Sequence, residues 1–344
     1  MTAPTISLCM IVKNEEQFIE QCLKSVNDFV QEIIIVDTGS TDETINICEK
    51  YKASIYSFKW TNNFADARNF GLSKASGDWI LWLDADEELE AGNEQMIIES
   101  ISKTNAAMLL MPIINYYGET FPVKKQQAYL YYQPRLFRNH IGVKFYNQIH
   151  ETPMLSNKNE VTESIESLKA PIHHYGYIEE ITKQKNKSQR NLQTLLIEYE
   201  QPNHSPWIEY HLASEYYRKK EYNTAFLYIN EAILGFLYQG LKPPALLYRL
   251  KYGMLIEMNS FDGAWPAIEK AILLYPDYVD LHFMKGLILY QKEQYSDALA
   301  SFEKCLELGE GHTEYLILRG SGSFKATEYK HLCLKKINST KKNN

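Results

Sequence analysis

The sequence has few cysteines and no closely spaced cysteine pair. Five cysteines are spread over 344 residues, their number is odd, and no two of them form a CxxC pair. Because most of them lie inside apolar stretches, we expect reduced thiols in a protein core, as in a cytoplasmic protein. These cysteines are Cys9, Cys22, Cys48, Cys305 and Cys333.

Long hydrophobic runs are missing as well. The longest apolar run covers residues 106–114 and contains Pro112, whereas a helix that crosses a bilayer needs about 20 apolar residues. The N-terminus lacks the basic-then-apolar order of a signal peptide. We therefore expect a cytoplasmic protein whose contact with a membrane is at most peripheral.

The chain also lacks an excess of positive charge. The chain has 36 basic and 43 acidic side chains, for a net charge of −7. This balance argues against a broad basic surface and so against nucleic acid as the partner. The apolar fraction of 45% is ordinary for globular protein, and the length predicts about two domains.

The first 90 or so residues alternate between short apolar runs and segments with helical spacing. Nearly continuous apolar strands are typical of a parallel sheet that is covered on both faces. Ligands of such sheets bind at the carboxyl ends of the strands. Asp37 and the pair Asp84 and Asp86 fall at two of these ends. The predicted strands are residues 6–12, 32–37, 53–58 and 79–83.

The sequence after Trp207 changes to a helical-repeat pattern. Ala225, Ala264 and Ala298 each fall in the second helix of a predicted helix–turn–helix unit. The last two are 34 residues apart, which is the tetratricopeptide period. We predict an all-α, tetratricopeptide-like domain at residues 207–334, followed by a frayed tail at 335–344.

Asp84 and Asp86 are the central chemical feature. Two carboxylates at the end of one buried strand repel each other unless a cation lies between them. Carboxylate oxygens suit Mg²⁺ or Mn²⁺, and such an ion commonly bridges phosphate oxygens. Since a DxD pair also occurs by chance, its context decides how it is interpreted.

Motifs on either side of this pair supply that context. Four of them are IVKNEE (11–16), IVDTGSTDET (35–44), DARN (66–69) and GDWILWLDADE (77–87), and further ones are RLFR (135–138), IHE (149–151) and HYGY (174–177). With the first four, in this order, the N-terminal part resembles the family 2 glycosyltransferases of the GT-A fold. The further motifs are similar to the subgroup with C-terminal tetratricopeptide repeats, which includes the sublancin-type peptide S-glycosyltransferases and relatives of lipopolysaccharide-core glucosyltransferases. The resemblance implies a GT-A domain at residues 1–182 and a linker at 183–206.

The resemblance assigns residues to a nucleotide pocket. Val12 and Asn14 would line it, Asp37 would accept a hydrogen bond from the base, expected to be uracil, and Arg68 would lie alongside. Two simpler roles stay open: Asp37 as a helix cap and Arg68 as a surface partner of Asp66.

The resemblance also implies metal ligands. Asp86 would bind Mn²⁺ or Mg²⁺ directly, and Asp84 would bind it through water or contact the ribose. His174 would supply a further ligand, with His173 as its rival for that role.

Glu151 is the candidate catalytic base, with His150 as its rival; the simpler role that stays open for Glu151 is a structural salt bridge. In an inverting transfer a carboxylate takes the acceptor's proton while the diphosphate leaves from the opposite side. Glu87 and Glu88 are further candidates for the base, but we expect them to be a solvated helix start. Arg135 and Arg138 either contact phosphate or are surface charges.

These observations predict an inverting transferase that moves a single hexose, expected to be glucose, from a UDP-sugar. A processive synthase is disfavoured because the QxxRW motif and membrane helices are missing. The expected acceptor is a peptide or protein Cys or Ser side chain held by the repeats. The alternatives are a lipid-linked or cell-surface saccharide acceptor, and an inactive domain that serves as a peptide-binding scaffold. A nucleotidyltransferase is disfavoured because residues 10–16 lack a Gly-rich, Lys-bearing loop, and a homodimer is one candidate assembly.

Overall fold

A computed structural model gives the architecture of the chain. The chain divides into two compact units, and residues 125–129 belong to the second although they lie within the first in sequence. The first unit comprises Met1–Lys124 and Leu130–Ile178, and the second Lys125–Tyr129 and Glu179–Asn344. The residues that the structure describes are 4–148, 151–155, 164–178 and 187–343.

The first unit is a mixed α/β layer structure. Its strands are β1 (Ile6–Val12), β2 (Glu32–Asp37), β3 (Ser54–Ser57), β4 (Trp79–Trp82), β5 (Glu87–Leu89), β6 (Met108–Gly118), β7 (Ala128–Arg138), β8 (Val143–Tyr146), β9 (Thr152–Leu155), β10 (Ile165–Ser167) and β11 (Ile172–Ile178). Its helices are α1 (Ile19–Val26), α2 (Thr44–Lys50), α3 (Phe64–Leu72) and α4 (Glu94–Lys103).

The main sheet has the strand order β3-β2-β1-β4-β7-β6-β11-β5. The first four strands along the chain pair in parallel, as their apolar runs predicted, and β7 then pairs antiparallel with β4. Farther along the sheet, β11 lies between β6 and β5, parallel to the first and antiparallel to the second. This mixed half of the sheet extends the parallel half beyond β4.

Helix α1 shows how the sequence covers the sheet. Its four buried side chains follow the i, i+3, i+4, i+7 spacing of one helical face, so all of them point to the same side. They pack into a core with the buried residues of β1, β2 and β4. The four are Ile19, Cys22, Leu23 and Val26.

The second unit is built mainly of helices. They are α5 (Lys187–Tyr199), α6 (Trp207–Arg218), α7 (Tyr222–Tyr238), α8 (Ala245–Glu257), α9 (Phe261–Ala264), α10 (Ile268–Leu274), α11 (Val279–Gln291), α12 (Tyr295–Leu308) and α13 (Phe324–Asn343), with a short strand β12 (Ile317–Leu318) before the last helix. The strand lies beside the start of β7, where Arg319 N donates to Ala128 O at 3.0 Å.

The small residues of the predicted repeats lie where helices meet. Ala225, Ala264 and Ala298 have no exposed surface. The middle repeat differs from the prediction, because its second helix is divided into α9 and α10. Pro266 lies at the break, and proline has no backbone N–H to continue a helix.

The last helix extends into the segment that was predicted to be a frayed tail. Helix α13 continues to Asn343, beyond residue 335. The buried side chains of Ala326 and Cys333 anchor its earlier turns. Among the described residues, no helix combines the length and apolarity that crossing a bilayer requires.

Candidate active site

The predicted nucleotide residues lie together where β1 and β2 end. Asp37 Oδ1 accepts a hydrogen bond from Ser40 N at 2.9 Å, and Val12 O accepts one from Thr38 N at 3.0 Å. Asn14 adopts a left-handed backbone with φ of 54°, and its Oδ1 accepts from Thr41 N at 2.8 Å. The bonds from Thr38 to Val12 and from Thr41 to Asn14 fix the two loops to each other.

Arg68 lies at the centre of the site. It is 6% exposed, and its guanidinium binds two carboxylates: Nη2 lies 2.7 Å from Asp84 Oδ1 and Nε lies 2.6 Å from Glu151 Oε1. Burial by itself would lower the pKa of Arg68, but the charges of Asp84 and Glu151 outweigh it and raise that pKa. Arg68 is therefore a buried bridge, and the expected surface pairing with Asp66 is not its role.

Aromatic rings enclose this guanidinium. The Arg68 Cζ lies 4.5 Å from the ring centroid of Trp82 and 5.5 Å from that of Phe145. Cation–π contacts of this kind stabilise an arginine and limit its movement. Packing against two rings therefore holds the Arg68 side chain in place, in addition to its two ion pairs.

The segment that carries Glu151 is tied to helix α3. The Asn69 side chain forms two hydrogen bonds with the backbone of Phe145, as a neighbouring strand would. Its Nδ2 donates to Phe145 O at 2.9 Å, and its Oδ1 accepts from Phe145 N at 2.8 Å. Nearby, Phe64 N donates to Gln148 O at 2.9 Å. These bonds bring the chain leading to Glu151 alongside α3, whereas His150, the rival base, lies outside the described residues.

Asp86 and His174 form a second charged pair beside the first. His174 Nε2 lies 3.4 Å from Asp86 Oδ1, and His174 Nδ1 lies 2.8 Å from Asn115 Oδ1. Since an amide oxygen can only accept, Nδ1 carries the proton and Nε2 faces the carboxylate. Burial alone would lower the pKa of His174, but the hydrogen bond and charge of Asp86 outweigh it and raise that pKa.

The sheet register produces this pair. Strand β11 sets His174 opposite Glu87 of β5 and opposite Asn115 of β6. The adjacent His173 side chain makes different contacts: Nδ1 lies 2.9 Å from the Tyr116 hydroxyl and Nε2 lies 3.2 Å from Glu90 Oε2. The structure therefore brings His174, and not His173, to Asp86.

Gly176 allows the close packing at this pair. A Cβ at this position would lie 2.6 Å from both Asp86 Oδ2 and His174 Nε2. Any larger residue would displace one of these two groups. Gly176 was missed from the sequence, because its contact depends on the pairing of β11 with distant strands.

A divalent cation fits the chemistry of this pair. An imidazole nitrogen and a carboxylate oxygen that face each other across 3.4 Å both gain from a cation between them. Within the described ranges, however, no three His, Cys, Asp or Glu side chains are arranged as a ready metal site. Asp84 Oδ1 is directed to Arg68, so of the three predicted ligands the structure pairs only Asp86 and His174.

The expectation that Glu87 begins a solvated helix is wrong. Glu87 is 1% exposed and starts strand β5. Its Oε1 lies 2.6 Å from Arg135 Nη2, and its Oε2 accepts from Asp84 N at 2.8 Å. The Arg135 guanidinium also packs 3.7 Å from the Trp82 ring centroid. Glu87 and Arg135 therefore support the turn that presents Asp84 and Asp86.

Glu88, the other residue of that expectation, also contacts protein groups. Its Oε2 accepts a hydrogen bond from the Tyr175 hydroxyl at 2.8 Å, and the side-chain amide of Gln21 donates to the same oxygen. Burial, helped by the hydrogen bond to Glu88, raises the pKa of Tyr175. This contact ties α1 to the strand that carries His174.

Arg138 does not belong to the site. Its Nε and Nη2 donate to the backbone oxygens of Ala106 and Thr104 at 3.0 and 2.6 Å, and it lies opposite Trp79 at the start of β4. Asp84 follows the other end of that strand. Arg135 and Arg138 are three residues apart in β7, so they face opposite sides of the sheet.

Two family models match the chain. Residues 7–157 match glycosyl transferase family 2, and residues 279–312 match a tetratricopeptide repeat. The chain has a family 2 glycosyltransferase domain followed by a tetratricopeptide repeat. The GT-A type of fold predicted from the motifs agrees with this family and with the mixed sheet.

Relatives of the family 2 domain include two curated proteins. A TPR repeat-containing protein of Synechococcus elongatus is 31% identical over 75% of this chain and 62% of its own length. The SPbeta prophage-derived glycosyltransferase SunS of Bacillus subtilis is 33% identical over 55% of this chain and 44% of its own length. The chain thus spans less than two thirds of either relative.

A distant likeness is found among solved structures. Residues 1–349 of TarS from S. aureus, in complex with UDP-GlcNAc, match with 15% identity and a TM-score of 0.40. The match covers 72% of this chain and 86% of the TarS chain.

Proposed function

We propose that the family 2 domain is an inverting, metal-dependent glycosyltransferase that takes a single hexose, glucose in the first instance, from a UDP-sugar. The observation that carries this proposal is the shared location of two groups. Arg68 joins Glu151 to Asp84, and two residues after Asp84 comes Asp86, paired with His174. These contacts support the proposal that the candidate base and the candidate cation-binding pair act in one site.

In the proposed donor complex, Asp37 and the loop at Asn14 hold the uracil end of the nucleotide. Asp86 and His174 would hold Mn²⁺ or Mg²⁺, whose remaining positions suit diphosphate oxygens and water. When bound, the cation would supply positive charge that stabilises the diphosphate as it leaves. Asp84 remains a candidate for contact with the ribose or a metal-bound water.

Glu151 would act on the acceptor. Its carboxylate takes the proton of the attacking group, a bond forms between the acceptor atom and the anomeric carbon, and the bond from that carbon to the diphosphate oxygen breaks. Attack opposite the leaving group inverts the anomeric configuration. Glu151 is mostly buried beside Arg68, with 12% of its side chain exposed.

The acceptor we propose is a Cys or Ser side chain of a peptide or protein that the tetratricopeptide-like repeats hold. Support comes from the repeat match and from the similarity to SunS, although the chain spans only part of that relative. We further propose a cytoplasmic location, since all five cysteines are buried free thiols. Domain boundaries of 1–182, 183–206 and 207–334 complete the proposal.

The deciding experiment is a screen of UDP-sugars for binding and hydrolysis with Mn²⁺, Mg²⁺ and EDTA. We expect metal-dependent hydrolysis that Asp86→Ala abolishes and that Arg138→Lys retains. The proposal is wrong if no UDP-sugar is bound or hydrolysed, or if Asp86→Ala behaves as the wild type. Mass detection of sugar on Cys- or Ser-bearing helical peptides then tests the acceptor, and turnover on a lipid-linked sugar alone would contradict it.

A further inference from the structure

We propose that Arg68 is a positioning residue for Glu151 and that it does not bind the nucleotide. The inference rests on the proposed function, because it assigns Arg68 a task within the same site. It replaces the role that the motif resemblance implied, in which Arg68 lies alongside the base. Three features of the structure support it: the geometry of the two ion pairs, the burial of the guanidinium, and the second carboxylate oxygen of Glu151, which Arg68 does not bind.

The bridging geometry uses two separate nitrogens. Nε donates to Glu151 Oε1 at 2.6 Å, while Nη2 donates to Asp84 Oδ1 at 2.7 Å. The planar guanidinium fixes the angle between these two bonds, and the compact ammonium of a lysine cannot reproduce that fork. The base is thereby held in a set position relative to the turn that carries Asp86.

The enclosure of Arg68 leaves little surface for a ligand. The residue is 6% exposed, and the rings of Trp82 and Phe145 lie near its guanidinium. Its charge is balanced by two carboxylates before any phosphate arrives. Nε and Nη2 are already engaged by Glu151 and Asp84, so a phosphate that bound either of these two nitrogens would displace one of the carboxylates.

Glu151 keeps one oxygen for chemistry. The bond to Arg68 uses Oε1, and Oε2 forms no hydrogen bond to any of the residues that the structure describes. A carboxylate anchored through one oxygen presents the other in a fixed direction. Displacement of a reacting group by about 1 Å costs on the order of 100-fold in rate, which is the effect expected when this anchor is lost.

The test compares Arg68→Lys with Arg138→Lys, a matched change at an arginine of β7 whose hydrogen bonds, among the described residues, go to the backbone oxygens of Ala106 and Thr104. The measurements are kcat and KM for UDP-glucose hydrolysis with Mn²⁺, and the Kd of UDP by calorimetry. For Arg68→Lys we expect kcat to fall about 100-fold while KM and the UDP Kd stay within about threefold. Arg138→Lys should leave all three values near wild type.

A double variant tests whether Arg68 acts through Glu151. Once Glu151→Gln has removed the base, adding Arg68→Lys should slow hydrolysis by less than about threefold, since residues that act as one unit are not additive. Should Arg68→Lys fail to fold, Phe145→Leu loosens one wall of the guanidinium. It should lower kcat about tenfold with the UDP Kd unchanged.

Several outcomes overturn the proposal. A tenfold rise in the UDP Kd of Arg68→Lys with kcat preserved would make Arg68 a nucleotide contact, while the proposed function would stand. Additive losses in the double variant, or an unchanged kcat in Phe145→Leu, would also refute it. If wild type and Arg138→Lys neither bind UDP nor hydrolyse any UDP-sugar, the proposed function fails and the role of Arg68 fails with it.

Discussion

Each unit of the molecule contains a mostly buried arginine paired with an aspartate, yet the two pairs are built differently. Arg249 Nε lies 2.7 Å from Asp280 Oδ2 in the second unit, the same distance as between Arg68 and Asp84 in the first. Asp280 is 1% exposed and also accepts bonds from Leu318 N and the Ser321 hydroxyl. Asp84 keeps 34% of its side chain exposed.

Under the proposed function, the difference separates a structural pair from one that serves catalysis. Both oxygens of Asp280 are used by groups of the fold, so the network around it joins α8, α11 and the segment at β12 and leaves nothing for a ligand. The carboxylates around Arg68 are fixed by one oxygen each and stay partly open. A buried charge network that is complete stabilises a fold, whereas one that is incomplete on its open side can act on a substrate.

The largest expected effect is on catalysis. Glu151→Gln keeps the shape of the side chain but removes the base, so kcat for transfer or hydrolysis should fall by about 10²–10⁴. The melting temperature should change little, because the amide oxygen can still accept from Arg68 Nε. Steady-state kinetics and thermal unfolding measure these two quantities. A large loss of stability with kcat retained would show that Glu151, like Asp280, has a structural role.

A stability comparison should show the next largest effect. Asp280→Asn leaves Arg249 buried without a charged partner and should cost about 3–5 kcal/mol of unfolding free energy in urea titrations. Asp84→Asn should cost less than about 1 kcal/mol, because Arg68 keeps Glu151 and the site is partly solvated. Equal costs would remove the distinction between the two pairs.

The smallest expected effect concerns the packing around Asp86 and His174, the proposed cation-binding pair. Gly176→Ala places a methyl group against Asp86 Oδ2 and His174 Nε2, so the Mn²⁺ concentration for half-maximal hydrolysis should rise about 10–100-fold. The control is Gly253→Ala, whose Cβ would meet only Met284 Cε at 3.8 Å. An unchanged metal requirement in Gly176→Ala would show that the cation does not lie between these groups.

The elements of the first unit were largely readable from sequence, because its strands are short apolar runs that end at a polar turn. Strand β2, for example, ends at Asp37 as predicted. The spacing of Ala264 and Ala298 predicted the repeats. The 34-residue period did not predict that one helix is divided at Pro266.

The contacts within the site were much less predictable. Alternation along a strand could have separated Arg135 from Arg138, since an odd spacing puts them on opposite faces. Nothing local could have matched Arg135 with Glu87 or Asn115 with His174, because those partners depend on the register of strands far apart in sequence. Arg68 was singled out from the sequence, but one of its two partners, Glu151, lies 83 residues away along the chain.

The pairing of β5, β6 and β11 also has a consequence for how the protein is made. Asp86 and His174 are 88 residues apart, and His174 joins the site only when β11 inserts between its two neighbours. A ribosome-bound chain that has emerged as far as β7 therefore has the proposed nucleotide loops but only Asp86 of the proposed cation-binding pair. Under the proposed function, the cation site should be completed late in synthesis, when the chain beyond Ile178 leaves the exit tunnel.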